Sequence, residues 1–298
     1  MSIADRTVAI LGASGMLGQA LCLEAARRGC RVARLARAGV EHAVDATDSR
    51  SLGVILDSVR PAVIVNSAAM TSLEACEREP GNAYAINARV AAVLANYCSQ
   101  HEIKLVQVST DHYFTGDADR LHDEDASVSL LNEYARTKYA GEVFAGTCSS
   151  TLTLRTNLVG FRGWSGRPTF AEWAIAALQG SAPFTLFSDF YTSSLDVGSF
   201  CRALFDLVDR DVRGVLNVAA REAVSKAQFV SRLAQRMRLS VAHCRIGSVR
   251  ELAGVVRAES LGLDVRRAES LLGYRLPDTQ AVLEALVRTY EVTSHAIR

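Results

Sequence analysis

Short continuous apolar runs alternate with longer stretches whose apolar positions recur every three or four residues. Thr7 to Leu11, Arg31 to Leu35, Ala62 to Asn66, Lys104 to Val108 and Thr151 to Arg155 are runs of the first kind and predict strands buried on both faces. Val44-Asp45-Ala46 is expected to end a further short strand. Between these runs, helical spacing follows Gly18 through Arg28, covers Ser49 to Val59, and recurs at Ala83, Ile86, Val90, Val93, Leu94 and Tyr97 within Gly81 to Tyr97. Another helix begins near Tyr134. Strand and helix in regular alternation predict an α/β fold with a doubly wound parallel sheet.

After Phe161 the alternation weakens. Arg162 to Pro168 reads as a loop that could close over a ligand, Thr169 to Gln179 and Asp196 to Val208 as helices, and Val215 to Val218 as a strand returning to the sheet. Ser225 caps a helix running to Arg238, and a small mixed region ends in a helix from Asp278 to about Tyr290. The expected division is a first domain over 1–157, joined by strands near 195–220, and a smaller α/β domain over 158–298 that binds substrate.

The chemistry sits where strands end. Gly12-Ala13-Ser14-Gly15-Met16-Leu17-Gly18 follows the first strand directly and opens a helix. Glycines there let backbone approach a pyrophosphate, and the helix N-terminus offers free N–H groups to its charge. Gly12, Ser14, Gly15, Met16, Leu17 and Gly18 are therefore candidate cofactor contacts in a Rossmann-type dinucleotide site. A dinucleotide with a free ribose 2′-hydroxyl usually meets an acid about 20 residues further on. This chain has Arg37 there, with Arg34 near it and no acid before Glu41, so a 2′-phosphate is favoured: NADPH, with NADH the alternative. Asp45 and Ala46 border the adenine, and Ser67-Ala68-Ala69 is small enough for a ribose to lie against backbone.

Ser109-Thr110-Asp111 ends the Lys104 to Val108 strand, and the Thr110 hydroxyl is suited to donate to a carbonyl oxygen. Tyr134 and Lys138 stand four apart, on one face of a helix. A neighbouring ammonium favours phenolate and brings a tyrosine towards working pH as a proton carrier. With 8 tyrosines and lysines only at 104, 138 and 226, chance gives such a pair about 0.08 times. The spacing gains its weight from the glycine turn before it.

Composition adds exclusions. Hydrophobic residues at 49% and charged ones at 22% are ordinary globular proportions, and a net charge of +1 gives no reason to expect nucleic acid. Seven scattered cysteines without a Cys-x-x-Cys pair argue against a disulfide framework and a zinc site and favour a reducing cytoplasm. No histidine shows metal-ligand spacing, so no metal is expected. No apolar run approaches the ~18 residues of a membrane span.

In order and spacing, Gly12-x-x-Gly15-x-x-Gly18, Asn66-Ser67-Ala68-Ala69, Ser109-Thr110-Asp111 and Tyr134-x-x-x-Lys138 resemble the extended short-chain dehydrogenase/reductases. Within them the chain resembles the dTDP-4-dehydrorhamnose reductase family nearly full length, through Thr71 to Glu77, Tyr139 to Glu142, Ser188 to Ser193, Gly214 to Val218 and Leu261 to Asp264. The resemblance implies NADPH-dependent reduction of the 4-keto group of a nucleotide-linked 6-deoxy sugar. It implies Thr110, Tyr134 and Lys138 as the catalytic set, with Tyr134 and Lys138 also touching cofactor. Thr71, Asp111, Arg155, Asn157, Asp189 and Arg257 are the implied substrate contacts, and a homodimer is an assembly compatible with the chain. Leu158 stands where the family has an aromatic and Ser194 where it has proline, which bears on the identity of the sugar. Sister dehydratases carry Thr-Asp-Glu; His112 here is not that second carboxylate, so dehydration is disfavoured. An epimerase and a non-catalytic regulatory subunit of methionine adenosyltransferase are the alternatives within the same fold.

Overall fold

The computed structural model describes residues 3–164 and 166–296. Contacts divide it into two units. The first comprises Met1–Thr110, Leu130–Arg155 and Cys201–Leu216; the second, Asp111–Ser129, Thr156–Phe200 and Asn217–Arg298. The chain thus passes between units several times; the sequence expectation was a boundary near 157 with strands near 195–220 joined to the first domain.

The first unit is built on a seven-stranded sheet in the order Gly214–Asn217, Leu152–Arg155, Lys104–Val108, Val63–Asn66, Thr7–Leu11, Arg31–Ala36, His42–Ala43. From Leu152–Arg155 to His42–Ala43 every neighbouring pair is parallel. Order reverses beside Thr7–Leu11, the switch point at which doubly wound sheets bind ligands. Val8, Ile10, Ile64, Val65, Leu105 and Val106 are almost fully buried, as strands covered on both faces must be. The third strand ends at Ala43, ahead of the expected Val44–Ala46, although the Val44 amide still donates to Ala36.

The helix expected from Gly81 to Tyr97 is three joined segments, Pro80–Tyr84, a π-helical turn Ala85–Arg89, and Val90–His101. One extra residue per turn does not change which residues are apolar, so the pattern hid it. The second unit holds a four-stranded sheet in the order Val224–Ser225, Tyr191–Thr192, Ser260–Leu263, Leu121–His122. The expected helices appear as Phe170–Gln179 and Lys226–Met237, each opened by a capping box, from Thr169 and Ser225. In the loop before the first of them, Ser165 lies outside the described residues. No described helix is long and apolar enough to cross a membrane.

Candidate active site

Within the first unit, the predicted groups gather at the carboxyl edge of the sheet because each follows a parallel strand. The turn after Thr7–Leu11 is fixed by Gly12 and Ala13 amides donating to the Leu35 carbonyl at 2.8 and 3.1 Å. Gly12 has φ of +86°, and a Cβ there would stand 2.8 Å from the Ala68 nitrogen. A Cβ on Gly18 would stand 2.1 Å from the Gly12 carbonyl oxygen, so that glycine lets the helix Met16–Arg27 close against the turn. Gly15 caps that helix with no side-chain bond, and its first turn carries no acid. Uncapped N–H groups without a nearby carboxylate suit a diphosphate. A dinucleotide cofactor fits this cradle.

Ser67 anchors the next segment, its amide and hydroxyl both reaching the Leu11 carbonyl, at 3.0 and 2.7 Å. Asn66 donates to Gln107 at 2.8 Å and accepts from the Ala68 amide. Along and after the strand Arg31–Ala36, Arg34 and Arg37 separate. Arg34 is engaged by Glu41 through its backbone amide and its guanidinium. Arg37 is exposed. Its charge acts on Asp45, whose carboxyl is held below its usual range chiefly by hydrogen bonds from Thr47.

The helix Glu133–Ala145 is capped by Asn132, which accepts from the Ala135 amide at 2.9 Å. Its face towards the sheet buries Tyr134, Thr137, Lys138 and Glu142. Lys138 Nζ donates to the Val108 carbonyl at 2.7 Å, two residues before Thr110. Burial pushes this lysine down to about 8, against the opposing pull of Glu142. Thr110 is itself buried. The Gln107 amide also donates to the Val108 carbonyl, so a chain of bonds links Lys138 through Gln107 and Asn66 to the Ala68 amide.

Three positioning groups escaped the sequence reading. Asn87, on the π-helical turn, clamps Met70 through its amide and carbonyl and donates to Thr137 at 3.0 Å. Gly141 packs against the backbone of the same turn. Glu142 accepts from Ser109 at 2.5 Å and forms a buried ion pair with Arg155 at 2.9 Å. The guanidinium of Arg155, an implied substrate contact, is thus engaged inside the first unit. Thr71 is exposed, just ahead of the helix Leu73–Arg78.

The other implied substrate contacts lie in the second unit. Asp111 is buried. Asn157 accepts from Ser194 at 2.6 Å. Asp189 accepts from the Ser248 hydroxyl and the Val249 amide, bonds that hold its carboxyl below its usual range against the opposing effect of burial. Arg257 is partly buried and donates to the Val255 carbonyl. Among the described residues, no group of His, Cys, Asp and Glu is arranged to hold a metal.

Glycine cradle, parallel sheet and a tyrosine–lysine helix docked at the strand end define an NAD(P)-dependent oxidoreductase of the extended short-chain dehydrogenase/reductase class. Residues 6–292 match the RmlD substrate binding domain, and the chain belongs to that family. It is 29% identical over 256 residues to the probable low-salt glycan biosynthesis reductase Agl14 of Haloferax volcanii, covering 84% of this chain and 85% of that one. It is 38% identical over 133 residues to the dTDP-4-dehydrorhamnose reductase of Streptomyces griseus, covering 45% and 42% respectively. Methionine adenosyltransferase 2 subunit beta of Mus musculus is 27% identical over 304 residues, covering 96% of this chain and 89% of that one. The crystal structure of dTDP-4-dehydrorhamnose reductase from Bacillus anthracis in complex with NADP shares the fold at a TM-score of 0.86. Its identity is 24%, covering 95% of this chain and 99% of that one.

Proposed function

We propose that this protein uses NADPH to reduce the 4-keto group of a nucleotide-diphosphate 4-keto-6-deoxy sugar. The observation that carries the reading is Lys138, a buried ammonium bonded to the Val108 carbonyl two residues before Thr110 and one helical turn from Tyr134. The cradle of Gly12, Ser14, Gly15, Met16, Leu17 and Gly18 holds the diphosphate, Ser67 to Ala69 backs the ribose, and Asp45 and Ala46 border the adenine. Arg37 supports NADPH over NADH, because Arg34 is already taken by Glu41. NADPH, when bound, supplies the hydride.

The chain's own residues govern the proton and the carbonyl. The Thr110 hydroxyl donates to the sugar carbonyl oxygen and aligns it. The Tyr134 hydroxyl gives that oxygen its proton as the carbonyl becomes an alcohol. Lys138 keeps a positive charge beside the phenol and the ribose, and Gln107 and Glu142 hold the lysine and the strand end in register. Thr71, Asp111, Asn157, Asp189 and Arg257 are the proposed substrate contacts; Arg155, paired with Glu142, acts as a support for the helix.

The similarity to a methionine adenosyltransferase subunit over 96% of the chain favours a second reading, a regulatory protein that keeps the cofactor cradle. Retention of Thr110, Tyr134 and Lys138 together supports catalysis. Purified protein mixed with NADPH and a panel of 4-keto nucleotide sugars separates the two: loss of NADPH absorbance with one of them is expected, and none with any would leave the regulatory reading.

A further inference from the structure

The chain has three lysines, and two of them donate to backbone carbonyls. Lys138 bonds to Val108; Lys104 bonds to Val212 and pairs with Asp211 at 3.0 Å. Lys226 is different. Among the described residues, no acceptor lies within hydrogen-bond distance of its Nζ; it stands 4.2 Å from the centre of the Phe170 ring and 5.8 Å from that of Phe190. Its backbone is fixed, being the first residue of Lys226–Met237 with its amide donating to Phe190 at 2.9 Å. The Phe170 ring is held in turn by stacking on Trp173 and tilted contact with Phe229.

Two aromatic faces stabilise an ammonium only in part and do not replace the hydrogen bonds that its three N–H groups lose on leaving water. The neighbours show what would replace them. Asp111 acts on Lys226 from nearby, and the charges of Lys226 and Arg257 both act on His112. Burial, with those two cations, holds His112 down to about 4, so its imidazole is neutral at pH 7 and able to donate a hydrogen bond without adding charge. Lys226 and His112 each keep part of their surface open to solvent. All of these groups belong to the second unit.

We propose that Lys226 is a substrate-recognition residue that takes a negatively charged group of the substrate, either the diphosphate linker or a carboxylate on the sugar. The inference rests on the nucleotide-sugar reading above and adds to it the residue that senses the charge.

Wild type, K226M and K226R are titrated, in the presence of NADPH, with thymidine, dTDP, UDP-glucose and UDP-glucuronic acid. Tryptophan fluorescence is the readout, since Trp173 stacks on Phe170. K226M should weaken dTDP binding by about 10- to 100-fold, the loss of one charge-assisted hydrogen bond, leave thymidine and NADPH binding unchanged, and keep or raise the unfolding temperature. K226R should recover most of the affinity. A loss seen with UDP-glucuronic acid but with neither dTDP nor UDP-glucose assigns the anion to the sugar carboxylate. Equal affinities of K226M and wild type for all four ligands overturn the inference while leaving the reduction reading intact. A wild type that binds NADPH but no phosphorylated ligand overturns the nucleotide-sugar reading and this inference with it.

Discussion

Gly141→Ala sets two effects of opposite sign against each other. Within an isolated helix the change stabilises by about 1 kcal/mol, because alanine loses less backbone freedom than glycine. Here the added methyl would stand 2.2 Å from the carbonyl oxygen of Asn87 and 3.7 Å from the Ala88 Cα. An ordinary carbon–oxygen contact is about 3.3 Å, so the helix Glu133–Ala145 and the π-helical turn must part by about 1 Å. Backbone faces the methyl, and no flexible side chain can give way, so the cost falls near the top of the ~1–3 kcal/mol range for overpacking. Net destabilisation is then about 1–2 kcal/mol, a fall of about 2–8 °C in apparent Tm for a chain of this size. The rate should suffer more than the stability. The displaced helix carries Tyr134 and Lys138, and a misplacement of about 1 Å at the chemistry costs on the order of 100-fold. Thermal unfolding by circular dichroism and turnover of NADPH with a 4-keto nucleotide sugar read the two effects separately. A G141A protein that melts and turns over like wild type would refute the role given to this helix crossing.

Arg37→Asp should shift preference from NADPH towards NADH, read as the ratio of kcat/KM for the two cofactors; an unchanged ratio would move the 2′-phosphate contact elsewhere. Glu142→Gln leaves the Arg155 guanidinium buried against a neutral partner and should destabilise by about 3–5 kcal/mol, measured by denaturant unfolding, with E142Q/R155M recovering much of the loss. The pH dependence follows from Lys138, which burial brings down to about 8. Its ammonium is lost as pH rises through that value, so kcat/KM should be flat below and fall on the alkaline side. Stability should move oppositely: the unfolded chain keeps this proton to about pH 10.4, so unfolding takes up a proton between about 8 and 10.4 and stability contributed here rises with pH. A rate that climbs through pH 9 would contradict a charged Lys138 as the working form. Tyr134→Phe should leave NADPH affinity nearly intact and cut turnover by ~100-fold or more.

What the sequence made legible was what is local. The apolar run into Gly12-x-x-Gly15-x-x-Gly18 and the four-residue spacing of Tyr134 and Lys138 are each set within a few residues, so pattern and mechanism point the same way. What it concealed depends on partners far along the chain. Asn87 matters through Met70 and Thr137, and Lys226 through Phe170, Phe190 and Asp111. Glu41 reads as an ordinary surface acid until the strand Arg31–Ala36 brings Arg34 against it, so that of two exposed arginines Arg34 is the one engaged by this acid. The segment Asp111–Ser129 follows directly on a strand of the first unit yet belongs to the second, because its strand Leu121–His122 pairs with Ser260–Leu263. No local periodicity encodes such a pairing.

The central claim is that hydride arrives at the sugar carbonyl carbon while Tyr134 supplies the proton to its oxygen. The most direct test supplies NADPH deuterated at the nicotinamide C4, in the transferred position, together with dTDP-4-dehydrorhamnose, and locates the label in the product by NMR. The account predicts deuterium on the sugar C4 in the wild type and almost none formed by Y134F. A product labelled at another carbon, or a wild type that transfers no deuterium while binding both ligands, would contradict it.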